Sequence, residues 1–95
     1  MSRRPSRRLA RIDPNQAGIV EALRRAGARV WPIQWPFDLL VVFRGAVHVL
    51  EVKTVDGELD AGQKEMARQM AEAGYWPAVV RSVEDAFWAV GAEIG

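Results

Sequence analysis

Ninety-five residues, 49% hydrophobic and 26% charged, suffice for one globular domain with a single modest core and leave no room for a second. The absence of cysteine excludes disulfides and thiolate metal sites, and the lone histidine, His48, excludes multi-histidine zinc sites and is a poor basis for a Ser-His-Asp triad. The formal net charge of +1 conceals a split, with +6 over residues 1–29, where eight arginines face Asp13 and Glu21, and −5 over residues 30–95, where five basic groups face ten acidic ones.

Residues 1–11 carry Arg3, Arg4, Arg7, Arg8 and Arg11, two serines, one proline and no acid. Such a segment can bury little and reads as a flexible basic arm, either seeking the phosphates of nucleic acid or simply solvated. It is short for a transit peptide of similar composition. Residues 12–95 read as the single domain. No apolar run approaches the ~20 residues of a membrane span, so a cytoplasmic protein with no membrane partner is expected.

Asp13-Pro14-Asn15-Gln16 is a helix start, with Asp13 as cap, Pro14 at the first helical position and Gln16 completing an Asp-x-x-Gln box. Ile19, Val20, Leu23 and Ala26 recur at helical spacing and Gly27 is a stop signal, which predicts a helix over 14–26. Ala28 to Gln34 is a short strand candidate interrupted by Pro32. Asp38–Phe43 and Ala46–Lys53 then form two β-rich runs around Arg44-Gly45, a predicted hairpin. Its alternation puts Leu40, Val42, Val47 and Val49 on one side and Leu39, Val41, Leu50 and Val52 on the other, so a pair covered on both faces is expected.

Asp60-Ala61-Gly62-Gln63 is a second capping box, opening a helix with Met66, Ala67, Met70 and Ala71 on its apolar stripe and Gly74 at its end. Tyr75 to Val80 reads as a further strand, and Ser82 caps a last helix carrying Phe87 and Val90. The order is helix, three strands, helix, strand, helix: an α/β fold with a central mixed sheet flanked by helices. Trp76, Phe87 and Trp88 read as packing aromatics and His48 as a satisfied core histidine. Trp31 and Trp35 read as packing residues that have the alternatives of stacking on bases or sealing a dimer.

An even-numbered loop at Arg44-Gly45 makes paired positions sum to 89, which sets Asp38 opposite Glu51, with Lys53 on the same face two residues on. Arginine is an unfavourable first residue for a two-residue turn, but a four-residue loop keeps the same register. Opposed carboxylates repel, and one remedy is a bound cation, Mg²⁺ or Mn²⁺ in preference to zinc given oxygen ligands alone. The alternative is a solvated Glu51–Lys53 pair where a strand leaves the core, with Asp38 capping a turn.

Pro36-Phe37-Asp38 followed by Leu50-Glu51-Val52-Lys53 resembles the Asp…Glu-x-Lys signature of the PD-(D/E)XK nuclease superfamily. The Asp13-Pro14-Asn15-Gln16 opening, the Ile19-Val20-x-Ala22-Leu23-Arg24 helix and the Leu59-Asp60-x-x-Gln63 helix start are similar to the small VRR-NUC-like nucleases of phages and prophages, over residues 12 to about 85. The resemblance implies a restriction-endonuclease-like core and a Mg²⁺- or Mn²⁺-dependent DNA endonuclease acting on duplex or branched DNA, four-way junctions included, as a homodimer. It implies Asp38 and Glu51 as metal ligands with the Val52 backbone carbonyl, Lys53 as the catalytic lysine and Gln63 as an active-site polar residue.

There are departures from the pattern. Phe37 separates the proline from the aspartate, and Gly18 stands where relatives carry glutamate. Glu21 falls on the far side of the helix from its apolar residues, whereas Gln16 falls on the apolar side and is the possible accessory residue. Gly18 and Phe37 leave open a catalytically silent DNA-binding module that keeps the nuclease fold. A protein-interaction subunit whose arm docks an acidic partner is a third reading.

Overall fold

The computed structural model describes residues 13–93, so the arginines proposed for the arm, Arg3, Arg4, Arg7, Arg8 and Arg11, lie outside the described residues. The elements are α1 (Gln16–Arg25), β1 (Arg29–Pro32), β2 (Leu39–Phe43), β3 (Ala46–Val52), α2 (Ala61–Glu72), β4 (Ala78–Val80) and α3 (Val83–Val90). The four strands form one mixed sheet in the order β1-β2-β3-β4. The first three are antiparallel neighbours and β4 runs parallel to β3, so α2 is the crossover that parallel pairing requires.

Local chemistry sets most boundaries. Gly27, Gly74 and Gly91 follow the three helices with positive φ, the conformation in which a chain leaves a helix at no Cβ cost. At the head of α2 the Asp60 carboxylate accepts the Gln63 N–H at 2.8 Å and Gln63 Oε1 accepts the Asp60 N–H at 3.2 Å, a complete capping box. Ser82 Oγ likewise accepts the Asp85 N–H at the head of α3. The hairpin closes through Arg44-Gly45 with Phe43 opposite Ala46, the expected register. Both turn residues have positive φ, and the Arg44 guanidinium lies 4.7 Å from the Phe43 ring centre.

The box expected at Asp13–Gln16 does not form. Asp13 Oδ1 accepts the Asn15 N–H at 2.8 Å, and the helix cap is Asn15, so Gln16 is the first helical residue instead of the third. The Asn15 side chain is engaged elsewhere, donating to the carbonyls of Lys53 and Arg81. The first strand is also shorter than Ala28–Gln34, since the chain leaves the sheet after Pro32, which lacks an N–H for the ladder.

One face of the sheet is closed. Val30, Leu39, Val41, Phe43, Leu50, Val52 and Val80 pack with Ile19, Val20 and Leu23 of α1 and with Ala86, Phe87 and Val90 of α3. The other face is not covered to the same degree, contrary to expectation. Leu40, Val42 and Val49 are half-buried and Val47 is exposed, and the α2 stripe of Met66, Ala67, Met70 and Ala71 is itself only half-buried. Helices α1 and α3 both pack on the core face.

The aromatic expectations divide in the same way. Phe87 is buried, but Trp76 and Trp88 are exposed, Trp88 to 88%. Phe87 and Val90 occupy the packed side of α3, and a residue one position beyond Phe87 is turned ~100° away from it. His48 is half-buried, near the hairpin tip, and its Nε2 is buried without a hydrogen-bond partner, so it is not the satisfied core histidine expected. No helix among the described residues is long and apolar enough to cross a membrane.

Candidate active site

The residues singled out by the Asp…Glu-x-Lys spacing come together at the end of the hairpin opposite its turn. Asp38 stands one residue before β2, Glu51 is the next-to-last residue of β3, and Lys53 follows that strand. The last ladder pair is Leu39 with Leu50. Beyond it the backbone departs from regular pairing, because the Asp38 N–H donates to the Leu50 carbonyl at 3.1 Å and the Val52 N–H donates to the Asp38 carboxylate at 2.8 Å. Asp38 thus prolongs the sheet with its side chain. The Ile33 and Gln34 N–H groups donate to its own carbonyl, which ties the β1–β2 loop to the same point.

Glu51 is 1% exposed, so the solvated-pair alternative does not hold for it. Its Oε2 lies 3.2 Å from Lys53 Nζ, and the lysine side chain is 23% exposed. The acid is therefore interior and the lysine side chain reaches the surface. The expected repulsion between the two carboxylates has internal remedies, a backbone N–H on Asp38 and an ammonium on Glu51.

The strand end is braced from three sides. Lys53 N–H extends the parallel ladder by donating to the Val80 carbonyl, and Asn15, the residue before α1, bridges the carbonyls of Lys53 and Arg81. Arg81 Nη1 holds the carbonyls of Thr54 and Gly57, closing the turn after Lys53. A Cβ on Gly57 would come within 3.2 Å of Lys53 Cδ and 3.3 Å of its Cβ, so the glycine gives the lysine stem its space. Asn15, Gly57 and Arg81 were not singled out by the sequence. Asn15 lies within the helix start whose expected cap is Asp13, and its contacts span 38 and 66 residues of separation.

Gln63 reaches the loop before Asp38, where its Nε2 donates to the Pro36 carbonyl at 3.2 Å. Its Oε1 is held in the capping box, so as placed it positions this loop from α2. Phe37, which departs from the family pattern, is fully buried yet lies outside the main core cluster. It is an anchor beneath the loop. Gln16 is buried, as its place on the apolar side of α1 implied, and its Oε1 has no hydrogen-bond partner among the described residues. It lines a groove of about 540 Å³ with Asp13, Pro14, Val20 and Pro32. Gly18 and Glu21 are exposed, and Glu21, paired with Arg25, also borders this groove.

Among the described residues no group of three or more His, Cys, Asp or Glu side chains gathers. The oxygens on hand are those of two carboxylates plus backbone. This is a donor set for Mg²⁺, which keeps several waters and is commonly held by one or two carboxylates. A carboxylate offers about four lone-pair directions, so the Val52 hydrogen bond and a metal ion are compatible on Asp38. In a strand the N–H and C=O of one residue face the same neighbour, so the Val52 carbonyl is directed to the Asp38 side. The residues fit such an ion.

No protein-family model matches the chain, and no curated protein or solved structure matches it.

Proposed function

We propose that the protein is a divalent-metal-dependent DNA endonuclease of the PD-(D/E)XK type with a restriction-endonuclease-like core, hydrolysing phosphodiester bonds in duplex or branched DNA. The observation that carries this reading is the interior Glu51, paired with a lysine that reaches the surface and set beside Asp38 at one strand end. Burial of a carboxylate is costly even when it is paired, and a hydrophobic residue of similar volume would serve packing at least as well. The charge is retained for chemistry.

In this reading Asp38, Glu51 and the Val52 carbonyl would hold Mg²⁺ or Mn²⁺. The ion supplies charge neutralisation at the phosphoryl oxygens and lowers the pKa of a bound water. Lys53 Nζ, already 3.2 Å from Glu51, would donate to the attacking water and offset the negative charge that develops as the water oxygen bonds to phosphorus and the ester oxygen departs. Gln63 and Phe37 keep the loop bearing Asp38 in place. The arginines of residues 1–11 neutralise phosphates, and their removal is expected to weaken binding without removing the chemistry.

The test is cleavage of supercoiled plasmid, single strands, flaps and synthetic four-way junctions with Mg²⁺, with Mn²⁺ and with EDTA. Asp38→Asn keeps an acceptor for the Val52 N–H, so it is expected to fold normally and to lose cleavage. Metal-independent cleavage, or full activity in that variant, would sink the assignment.

A second reading is favoured by one observation, that Lys53 and Val52 already satisfy the two acids in part. It is a catalytically silent DNA-binding module. It predicts a mobility shift of the same substrates without product at any metal concentration.

A further inference from the structure

A second groove, of about 500 Å³, lies beside the sheet edge and is lined by Arg24, Gly27, Ala28, Arg29, Val30 and Trp31. Its shape follows from the turn at Gly27, where φ of +104° brings the chain from the last turn of α1 into β1. Strand β1 is an edge strand, and Arg24 Nη2 donates to its Val30 carbonyl at 2.7 Å. That bond fixes one guanidinium at the groove. Arg29 is exposed, Trp31 is 50% exposed, and alternation puts both on the same side of β1. None of the lining residues is acidic.

Two fork-shaped cations beside one exposed indole narrow the class of occupant. Guanidinium groups bind phosphate bidentately, and an indole face stacks on a planar base. An acidic peptide would satisfy the arginines and leave the indole without a stacking partner. A second copy docked on this groove about a two-fold axis would bring Arg24 and Arg29 toward their own counterparts, a like-charge contact. The nearest acid on α1, Glu21, is paired with Arg25 and leaves Arg24 and Arg29 as the charges lining the groove.

We infer that this groove binds a nucleotide unit of an unpaired nucleic-acid strand, its phosphate on Arg24 and Arg29 and its base on Trp31. Trp31 is paired with Leu40, two residues from Asp38, which directly precedes β2. Two residues at ~3.4 Å each along the strand and one inter-strand spacing of ~4.8 Å across put the Trp31 and Asp38 backbones roughly 8 Å apart, between two and three base-stacking steps. A strand seated in the groove thus passes close to the carboxylates. This last link rests on the endonuclease reading; the groove as a nucleotide site does not.

The experiment is fluorescence anisotropy of a labelled single-stranded oligothymidylate titrated with the full chain in EDTA, over a series of salt concentrations. The wild type is expected to bind, Trp31→Ala to weaken binding about tenfold, and Trp31→Phe to recover most of the loss. Arg29→Gln is expected to reduce the slope of log affinity against log salt by about 0.7, one phosphate contact on a single strand. Trp88→Ala, at an exposed indole on α3, is expected to bind as the wild type does. Equal affinity of Trp31→Ala and wild type, an unchanged salt slope in Arg29→Gln, or no binding by the wild type would each overturn the inference. So would sedimentation showing a dimer that Trp31→Ala dissociates, which would assign the groove to a second copy. A chain that binds with these variant effects in EDTA yet never cuts with Mg²⁺ keeps the groove and removes the nuclease, whereas cleavage with binding indifferent to Trp31 does the reverse.

Discussion

At the turn end of the β2–β3 hairpin Arg44, Gly45, Ala46 and Val47 are exposed, whereas at the other end Asp38, Glu51 and Val52 are buried. Ordinary packing would place charge at the exposed end and aliphatic residues at the buried one. The turn end follows that rule with an arginine. The buried end breaks it with two acids and a neighbouring lysine, each held by a named partner. Where charge and burial coincide, the surrounding structure has to hold the charge in place, and here it does so through Val52, Asn15, Arg81 and the space left by Gly57.

This contrast can be broken by substitution, most severely at the buried end. Lys53→Met leaves Glu51 interior without its ammonium partner, and a loss of about 3–5 kcal/mol in urea unfolding is expected. A loss below about 1 kcal/mol would mean that the pair is not the organising feature of the strand end. Gly57→Ala is the next largest, because its Cβ meets the lysine stem at 3.2 and 3.3 Å. A destabilisation of about 1 kcal/mol is expected. Under the endonuclease reading cleavage should fall by more than that loss of folded protein explains.

At the turn end the expected sign is opposite. Arg44 holds a positive φ of 52° that asparagine adopts more readily, so Arg44→Asn should stabilise by about 0.5 kcal/mol in the same measurement. Destabilisation would show that the contact of the guanidinium with Phe43 outweighs the backbone term. The smallest effect concerns His48, whose burial lowers its pKa from the ordinary 6.5. The folded state then binds fewer protons than the unfolded one. Stability from this group is present above about pH 6.5 and is lost as pH falls through the lowered folded pKa. His48→Gln should flatten melting temperature against pH in that window, and an unchanged profile would assign the slope to other groups.

The hairpin register was legible because Arg44-Gly45 leaves two residues between β-rich runs, and pairing then follows from counting. The α2 start was legible because both halves of its capping box lie within four residues. The first helix misled for the same local reason. Asp13 and Gln16 have the spacing of a box, but a distant demand on Asn15 moved the cap by two residues. Trp76 and Trp88 misled because size and hydrophobicity predict packing only when a surface is there to receive them. Of the candidate site, Asp38, Glu51 and Lys53 were readable from spacing. The carboxylate of Asp38 on the Val52 N–H and the bracing by Arg81 were not.

The sequence by itself determined the order of elements, the hairpin register and the placement of three charged residues at one strand end. Those follow from periods of two and 3.6, from caps and from turn residues, all of them interactions within a few residues. Only the tertiary structure decided which sheet face is closed, that Glu51 is interior while Lys53 reaches out, and that Arg24, Arg29 and Trp31 share a groove. These depend on which helix covers which surface. That choice is made by contacts between segments far apart in the chain, and no local pattern encodes it.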